Sequence, residues 1–233
     1  MKNEIFIYDS IGEGWYDEGI TGKTIKRQLD KMQGDITVRI NSLGGDVFEA
    51  AAIYNLLKEH DGKVTIKIDS IAASAASVIA MAGDEIIIPL NAMIMIHNPW
   101  TFAYGESADF LKTAERLDKI RQTIANVYVE KSNASEKEIF EMMDEETWMT
   151  SEEAITFGFA TKEEAEKPFK VENKSSFNFK NFKNYPKQLV ENQKRSDSKV
   201  IDDLKNKKEQ EQIKNNKKKI QLEEYKLNLM EII

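Results

Sequence analysis

The sequence of 233 residues contains no cysteine, two histidines, four prolines and no long apolar run. The lack of cysteine excludes a disulfide scaffold, a thiolate zinc site and a cysteine nucleophile. With only His60 and His97, a metal site built from several imidazoles is not expected. No apolar stretch approaches the roughly 18 residues of a membrane span, and the start MKNEIFIYDS lacks the apolar core of a signal peptide. We therefore expect a cytoplasmic protein that does not associate with a membrane.

The net charge of −7 combines two parts of opposite sign. Residues 1–165 hold 16 Lys and Arg against 29 Asp and Glu, a net charge of −13, whereas residues 166–233 carry +6. Because nucleic acids are bound by basic surfaces, the acidic part is not expected to bind one. We predict a folded domain at 1–165, a linker at 166–198 that is rich in Lys, Asn and Ser, and a basic tail at 199–233. The extension after the folded domain is expected to be mostly helical or disordered.

Short apolar segments alternate with amphipathic ones through the first 165 residues. Strands are predicted at 4–9, 35–41, 63–69, 85–90 and 93–97, and helices at 21–32, 46–60, 72–83, 106–131, from Ser135 and from the TSEEA segment at 150–154. This alternation predicts an α/β fold of stacked β/α units around a largely parallel sheet. In the helix at 46–60 the predicted buried stripe is Val47, Ala50, Ala51, Tyr54 and Leu57.

Two glycines follow the second predicted strand, in the segment NSLGG at 41–45. Successive glycines at a strand end permit positive φ and the close approach of a ligand. A tight turn between a strand and a helix, with no ligand, explains the same pattern. The spacing matches neither a P-loop nor a dinucleotide-binding fingerprint.

A run of small residues, IAASAASVIAMAG, follows the third predicted strand. One interpretation places Ser74 at a strand-to-helix turn, where its hydroxyl is exposed and the start of the helix favours developing negative charge. Ser77 lies about one turn further on and is expected to be less accessible. The alternative is a buried helix in which both hydroxyls merely bond to backbone carbonyls.

A histidine and an acidic cluster complete the set of candidates. His97 ends an apolar strand in MIMIHNPW, where the following Asn-Pro turn would hold it rigidly, although a structural histidine is the alternative. Asp144, Glu145 and Glu146 precede the last predicted helix, where a solvated acidic turn is the simpler explanation. His60 is assigned no role.

Taken together, these candidates match the requirements of serine hydrolysis. That chemistry needs a nucleophile, a base, a carboxylate that orients the base, and N–H donors for the oxyanion. Because a serine hydroxyl is almost wholly protonated at neutral pH, the imidazole is indispensable, and His97 is the well-placed one. The glycine pair, serine, histidine and acid are predicted to lie on four separate loops of one layered structure.

The segments INSLGGDVFEAAAIYNLL, AASAASVIAMAG, MIMIHNPW and ETWMTSEEAITFGFA together resemble the Clp protease proteolytic subunit (ClpP) family over about residues 35–160. The resemblance implies a ClpP/crotonase-like α/β fold and a serine endopeptidase that needs no metal or cofactor. It implies Ser74 as nucleophile, His97 as base, and the amides of Gly45 and Ala75 as oxyanion donors. It also implies a homo-oligomeric ring, a heptamer or a tetradecamer.

The sequence departs from the family pattern at several positions. Leu43 replaces the family's proline in the SPGG loop. The family's catalytic acid is normally an aspartate two positions before an aromatic residue, and the matching position here is Glu146, with Trp148 as the aromatic. Asp144 is the alternative third member. The N-terminal axial-loop region of the family is barely recognisable, which leaves open whether an ATPase unfoldase is a partner.

The IYDSIGEGW start, the ETW motif and the charged extension resemble the phage or prophage head-maturation (prohead) protease branch. This resemblance implies that the substrates are capsid or scaffold precursors. The alternatives are a general ATP-dependent Clp subunit working with an unfoldase, and a catalytically inactive ring scaffold. A crotonase-type acyl-CoA enzyme and a Ser–Lys peptidase are disfavoured by the AAS segment and by the lack of a suitably placed lysine.

Overall fold

The computed structural model describes residues 3–13, 19–164, 179 and 182–186. The chain divides into two units, Met1–Tyr185 and Pro186–Ile233, and every element given below belongs to the first. The basic tail predicted at 199–233, and most of the linker predicted at 166–198, lie outside the described residues.

Strands and helices alternate along the described chain, as the sequence predicts. The strands are β1 Glu4–Ile7, β2 Ile36–Ser42, β3 Val64–Ala73, β4 Glu85–Pro89, β5 Met93–Ile96, β6 Thr147–Met149 and β7 Lys162–Glu164. The helices are α1 Gly22–Leu29, α2 Val47–Lys58, α3 Ala75–Ala80, α4 Ser107–Lys131, α5 Glu136–Asp144 and α6 Ser151–Thr156.

The strands form one sheet that is mostly parallel. The order β1-β2-β3-β4-β7 is parallel throughout, and β5 also pairs in parallel with β3. The first half of β3 pairs with β4, and its last three residues pair with β5 instead. The short strand β6 runs antiparallel to β5. The predicted α/β fold with a parallel sheet is therefore confirmed, and β3, β5 and β6 converge at one end of it.

Isoleucine dominates the core because it suits a sheet that is covered on its faces. Ile5, Ile40, Ile66 and Ile86 on successive strands are all completely buried. α1 packs its Ile25 and Leu29 into the same cluster, and α5 contributes Ile139, Met142 and Met143. This core fixes the strand ends that carry the candidate site.

Two details of the helices differ from the sequence-based expectation. The helix predicted at 72–83 begins only at Ala75, because Ala72 and Ala73 continue β3 and pair with β5. In α2 the buried residues are Ala50, Ile53 and Leu57, whereas the predicted Val47, Ala51 and Tyr54 lie half-buried at the edge of the stripe. The stripe is narrower than predicted and includes Ile53, which the prediction omitted.

The described helices have clear starts. Ser135 caps α5 and Thr150 caps α6, each in a capping box with the glutamate three residues later. Such a cap satisfies backbone donors that have no partner within the helix. Within the described part of the chain, no helix is both long and apolar enough to cross a membrane.

Candidate active site

Ser74 occupies the sharp turn between β3 and α3. Its backbone has φ 54° and ψ −125°, a conformation that residues other than glycine seldom adopt. Its N–H donates to the carbonyl of Met95 on β5 at 2.9 Å, which ties the turn to the neighbouring strand. A backbone of this kind costs on the order of 1–3 kcal/mol and is characteristic of functional sites. The turn holds the serine side chain at the end of the sheet, as predicted.

His97 follows the last residue of β5 and faces this turn. Its Nε2 lies 2.7 Å from Ser74 Oγ, which is hydrogen-bond distance. Burial lowers the pKa of His97, the nearby Glu146 carboxylate opposes that change, and the charge of Lys183 adds to it. The imidazole is therefore neutral at neutral pH and can accept the serine proton.

Glu146 lies on the other side of the imidazole, at the turn between α5 and β6. Its Oε2 is 4.0 Å from His97 Nδ1, and its side chain is buried. The indole Nε1 of Trp148 donates to Oε1 at 3.2 Å. Among the described residues, Ser74 and Glu146 are the two other than glycine with positive φ. Backbone strain thus coincides with two of the three predicted triad positions.

Asp144, the alternative third member, makes different contacts. Its Oδ1 accepts hydrogen bonds from Asn98 Nδ2 and from Arg121, both at 2.7 Å. It therefore holds the residue that follows His97, and it lies at the surface. Among the described residues, Glu146 is the carboxylate within 4.0 Å of the imidazole. The geometry favours Glu146 over Asp144 as the partner of His97.

The glycine loop packs directly against the serine turn. A Cβ placed on Gly44 would lie 2.8 Å from Ser74 Cβ and 2.9 Å from Ala75 N, so this position tolerates no side chain. Ile11 donates to Gly44 O and accepts from Asp46 N, which leaves the N–H of Gly45 directed away from Ile11. The close contact explains why two glycines follow β2.

Among the described residues, the N–H groups of the two predicted oxyanion donors have no hydrogen-bond acceptor. Gly45 is exposed, and Ala75 is the first residue of α3, where an N–H has no acceptor within the helix. Neither amide donates to any other residue in the described part of the chain. Within the described residues, both amides therefore stay available as candidate donors to an oxyanion.

Ser77 supports the turn and is not itself exposed. Its hydroxyl is completely buried and donates to the carbonyl of Ser74 at 2.6 Å. Tyr128 on α4 lies 2.8 Å from the same hydroxyl, and complete burial raises the pKa of this phenol. The sequence analysis considered that both serine hydroxyls merely bond to backbone carbonyls. In the structure this holds for Ser77 and not for Ser74. The sequence provides no signal for the contribution of Tyr128.

Residues from the region predicted as a linker also reach the site. The backbone N–H groups of Lys183 and Asn184 donate to the two oxygens of Glu146, at 2.9 and 2.7 Å. The ring of Phe182 lies 5.7 Å from the imidazole of His97. Sequence reasoning missed these contacts, although the spaced aromatics of FNFKNFKNY were a usable signal. His60 is remote from this group and its Nε2 contacts Gly34 O at 2.7 Å.

The site contains the groups that serine hydrolysis requires. A serine hydroxyl that is hydrogen-bonded to an imidazole, with a buried carboxylate beside it, is the arrangement that nucleophilic acyl transfer uses. The described residues contain no group of three or more His, Asp or Glu side chains that could hold a metal ion.

Comparisons with known proteins point to one family. The model of the Clp protease family matches residues 1–163. The ATP-dependent Clp protease proteolytic subunit of Bacteroides fragilis is 30% identical over 146 residues, which is 59% of this chain and 70% of the relative. Subunit 1 of Protochlamydia amoebophila is 31% identical over 166 residues, 69% of this chain and 80% of the relative.

A solved structure shows the same fold. A point mutant of ClpP1 from Listeria monocytogenes superposes with a TM-score of 0.61 over 71% of this chain and 92% of its own, at 22% identity. That identity supports the fold alone, whereas the family model extends over most of the described residues. The chain therefore belongs to the Clp protease family.

Proposed function

We propose that the chain is a serine endopeptidase of the ClpP type, with Ser74, His97 and Glu146 as its triad. The observation that carries the proposal is the 2.7 Å contact between Ser74 Oγ and His97 Nε2 at a strained strand-to-helix turn. The amides of Gly45 and Ala75 are the oxyanion donors. Membership of the Clp protease family supports this activity.

The mechanism follows from the positions of these groups. Ser74 Oγ attacks a peptide carbonyl carbon while His97 Nε2 takes its proton, and the carbonyl oxygen becomes an oxyanion held by the two amides. The Glu146 carboxylate stabilises the imidazolium. His97 then protonates the leaving amine, and water, deprotonated by His97, releases the acyl group from Ser74. Each oxyanion donor of this type contributes about 10²–10³ in rate.

Two substrates distinguish this proposal from the crotonase alternative. The purified chain is expected to hydrolyse a short fluorogenic acyl-peptide and to leave an enoyl-CoA unhydrated, because the site offers a serine nucleophile beside a base. Release of fluorophore and loss of enoyl absorbance are measured in parallel. Hydration of the enoyl-CoA without peptide hydrolysis would contradict the proposal, and inactivity towards both together with no labelling by a fluorophosphonate would favour the inactive scaffold.

The rate of acyl-peptide hydrolysis is expected to depend on pH through His97. The base must be neutral to act, so kcat/KM rises as pH passes upward through the pKa of His97 in the free enzyme. Because burial lowers that pKa, the midpoint of the acid limb is expected below the ordinary value of 6.5. A pH–rate profile with its acid midpoint above 6.5 would show that Glu146 outweighs burial and the charge of Lys183.

We further propose that copies of the chain assemble into a ring. The loop before α4 and the start of that helix expose several large apolar side chains: Trp100, Phe102, Tyr104, Phe110 and Leu111. Several large apolar side chains exposed within one short segment are characteristic of interaction sites. Mass photometry is expected to show a heptamer or a tetradecamer, and monomers at every concentration would contradict assembly.

A narrower proposal concerns the substrates. The charged extension and the resemblance to prohead proteases favour processing of capsid or scaffold precursors in the cytoplasm. General proteolysis with an ATPase unfoldase is the alternative, and the curated relatives named above are described as ATP-dependent. Cleavage of a folded scaffold protein without nucleotide would support the first, and cleavage of unfolded protein only with an added unfoldase and ATP would support the second.

A further inference from the structure

A short stretch of chain from beyond the sheet lies against the candidate triad. We call residues 182–185 the covering segment. Its Phe182 ring is 5.7 Å from that of His97 and 5.5 Å from that of Trp148. Phe179, which precedes it and is 6% exposed, packs on Trp148 and Tyr185 at 6.2 and 5.9 Å. Four aromatic rings therefore attach the segment to the site through apolar contact.

The covering segment also binds both oxygens of the triad carboxylate. Lys183 N donates to Oε2 of Glu146 at 2.9 Å, and Asn184 N donates to Oε1 at 2.7 Å. The side chain of Asn184 adds a bond of 2.6 Å to the carbonyl of Glu145. Hydrogen bonds to an ionised acceptor are among the stronger ones in proteins. The covering segment thus fixes the position of the carboxylate.

In this position the Glu146 carboxylate does not form the hydrogen bond to His97 that catalysis needs. Oε2 of Glu146 lies 4.0 Å from His97 Nδ1, beyond the roughly 2.7–3.2 Å of a hydrogen bond to nitrogen. A triad acid acts by bonding to that Nδ1–H, which fixes the imidazole tautomer. The same segment places the positive charge of Lys183 near His97, where it opposes formation of the imidazolium. Each contact therefore works against the serine-to-imidazole proton transfer.

We propose that the covering segment is an intramolecular inhibitor of the peptidase, an inference that rests on the proposed function. While it is docked, its amides hold Glu146 away from Nδ1 and its Phe182 covers His97. When it leaves, Oε2 of Glu146 loses its bond to Lys183 and moves onto Nδ1 to complete the triad, while Oε1 keeps the bond from Trp148. The segment is part of the same chain, so its local concentration is high and independent of protein concentration.

The alternative role for the covering segment is to position Glu146 for catalysis. This role predicts that removing the segment lowers the reactivity of Ser74. A permanent positioning element would hold Glu146 close to its catalytic position, and its removal would then slow the reaction. The 4.0 Å separation and the charge of Lys183 favour inhibition. The sign of the change in reactivity therefore decides between the two roles.

Variants of the full-length chain test the inhibitor directly, through the second-order rate constant for labelling by a fluorophosphonate. Phe182→Ala removes the ring from His97, and Asn184→Pro removes one N–H donor to Glu146. Each is expected to label at least about tenfold faster than the wild type, because restoring the correct tautomer is worth up to ~10⁴ in related triads. Asn184→Ala keeps the N–H and is the matched control, expected to label close to the wild-type rate.

The outcomes are separable from those of the proposed function. Equal labelling of the wild type and both release variants would overturn the inhibitor while leaving the peptidase intact. Slower labelling of the variants would overturn it in favour of a positioning role. No labelling of any form would contradict the peptidase itself.

Hydrogen exchange measures whether the covering segment is docked, independently of enzyme activity. The amides of Lys183 and Asn184 are expected to be protected in the wild type and to exchange faster in Phe182→Ala. Protected amides combined with unchanged reactivity would show that docking has no inhibitory effect. Fast exchange in the wild type would overturn the docked state itself.

Discussion

Replacement of Ser74 by alanine is expected to reduce acyl-peptide hydrolysis by on the order of 10⁶-fold, to the background rate. The reason is that no other hydroxyl in the described site is placed to replace it, since Ser77 is fully buried and bonded to the carbonyl of Ser74. The measurement is the initial rate of fluorophore release from the peptide, compared with the wild type at the same protein concentration.

The matched control for this variant is Ser70→Ala. Ser70 lies in β3, four residues before Ser74, and is exposed, so its loss is expected to leave hydrolysis unchanged. Because surface substitutions typically alter stability by less than about 0.5 kcal/mol, Ser70→Ala is expected to fold. Ser74→Ala removes a half-buried hydroxyl, and circular dichroism checks that this variant folds as well. A Ser74→Ala protein that retained a tenth of wild-type activity would rule out Ser74 as the nucleophile.

The second large effect is expected at Glu146. Glu146→Gln is expected to lower the hydrolysis rate by roughly 10³- to 10⁴-fold, because an amide no longer stabilises the imidazolium and can select the wrong tautomer. The smaller loss, roughly 10³-fold, allows for partial release of the covering segment, because its backbone N–H groups bind an uncharged amide less strongly than a carboxylate. Initial rates at saturating substrate measure the effect on kcat.

Asp144→Asn provides the comparison that assigns the third member. Asp144 bonds to Asn98 and Arg121, and the carboxylate next to the imidazole of His97 is that of Glu146. We therefore expect a loss of less than about tenfold from a slightly misplaced His97 loop, since exposed ion pairs contribute little. If Asp144→Asn were the more damaging of the two, the acid would have to be reassigned.

The sequence predicted the parts of the fold that depend on local pattern. Alternating apolar residues mark β1 to β3 and an apolar run marks β4, while Ser135 and the TSEEA segment at 150–154 mark the starts of α5 and α6. The strand end at His97 follows from the same local signals, whereas the helix predicted from residue 72 does not place the turn at Ser74. The family resemblance, and not the local pattern, identifies Ser74 and His97 as nucleophile and base.

Contacts between distant parts of the chain account for what sequence reasoning missed. Ala72 and Ala73 fit either a strand or a helix, and only the pairing of β3 with β5 decides between them. The choice between Glu146 and Asp144 depends on how β6 pairs with β5, which no local pattern specifies. Residues 183 and 184 are 37 and 38 residues away from Glu146 in the sequence. The only local sign of their contacts is the regular spacing of aromatic residues in FNFKNFKNY.

The most direct measurement of the central claim locates the covalent adduct formed with a fluorophosphonate. Peptide mapping of the labelled full-length chain is expected to find a single modified residue, Ser74, and no adduct in His97→Ala, because the hydroxyl reacts only when Nε2 takes its proton. A modified residue other than Ser74, or equal labelling of Ser74 with and without His97, would contradict the account.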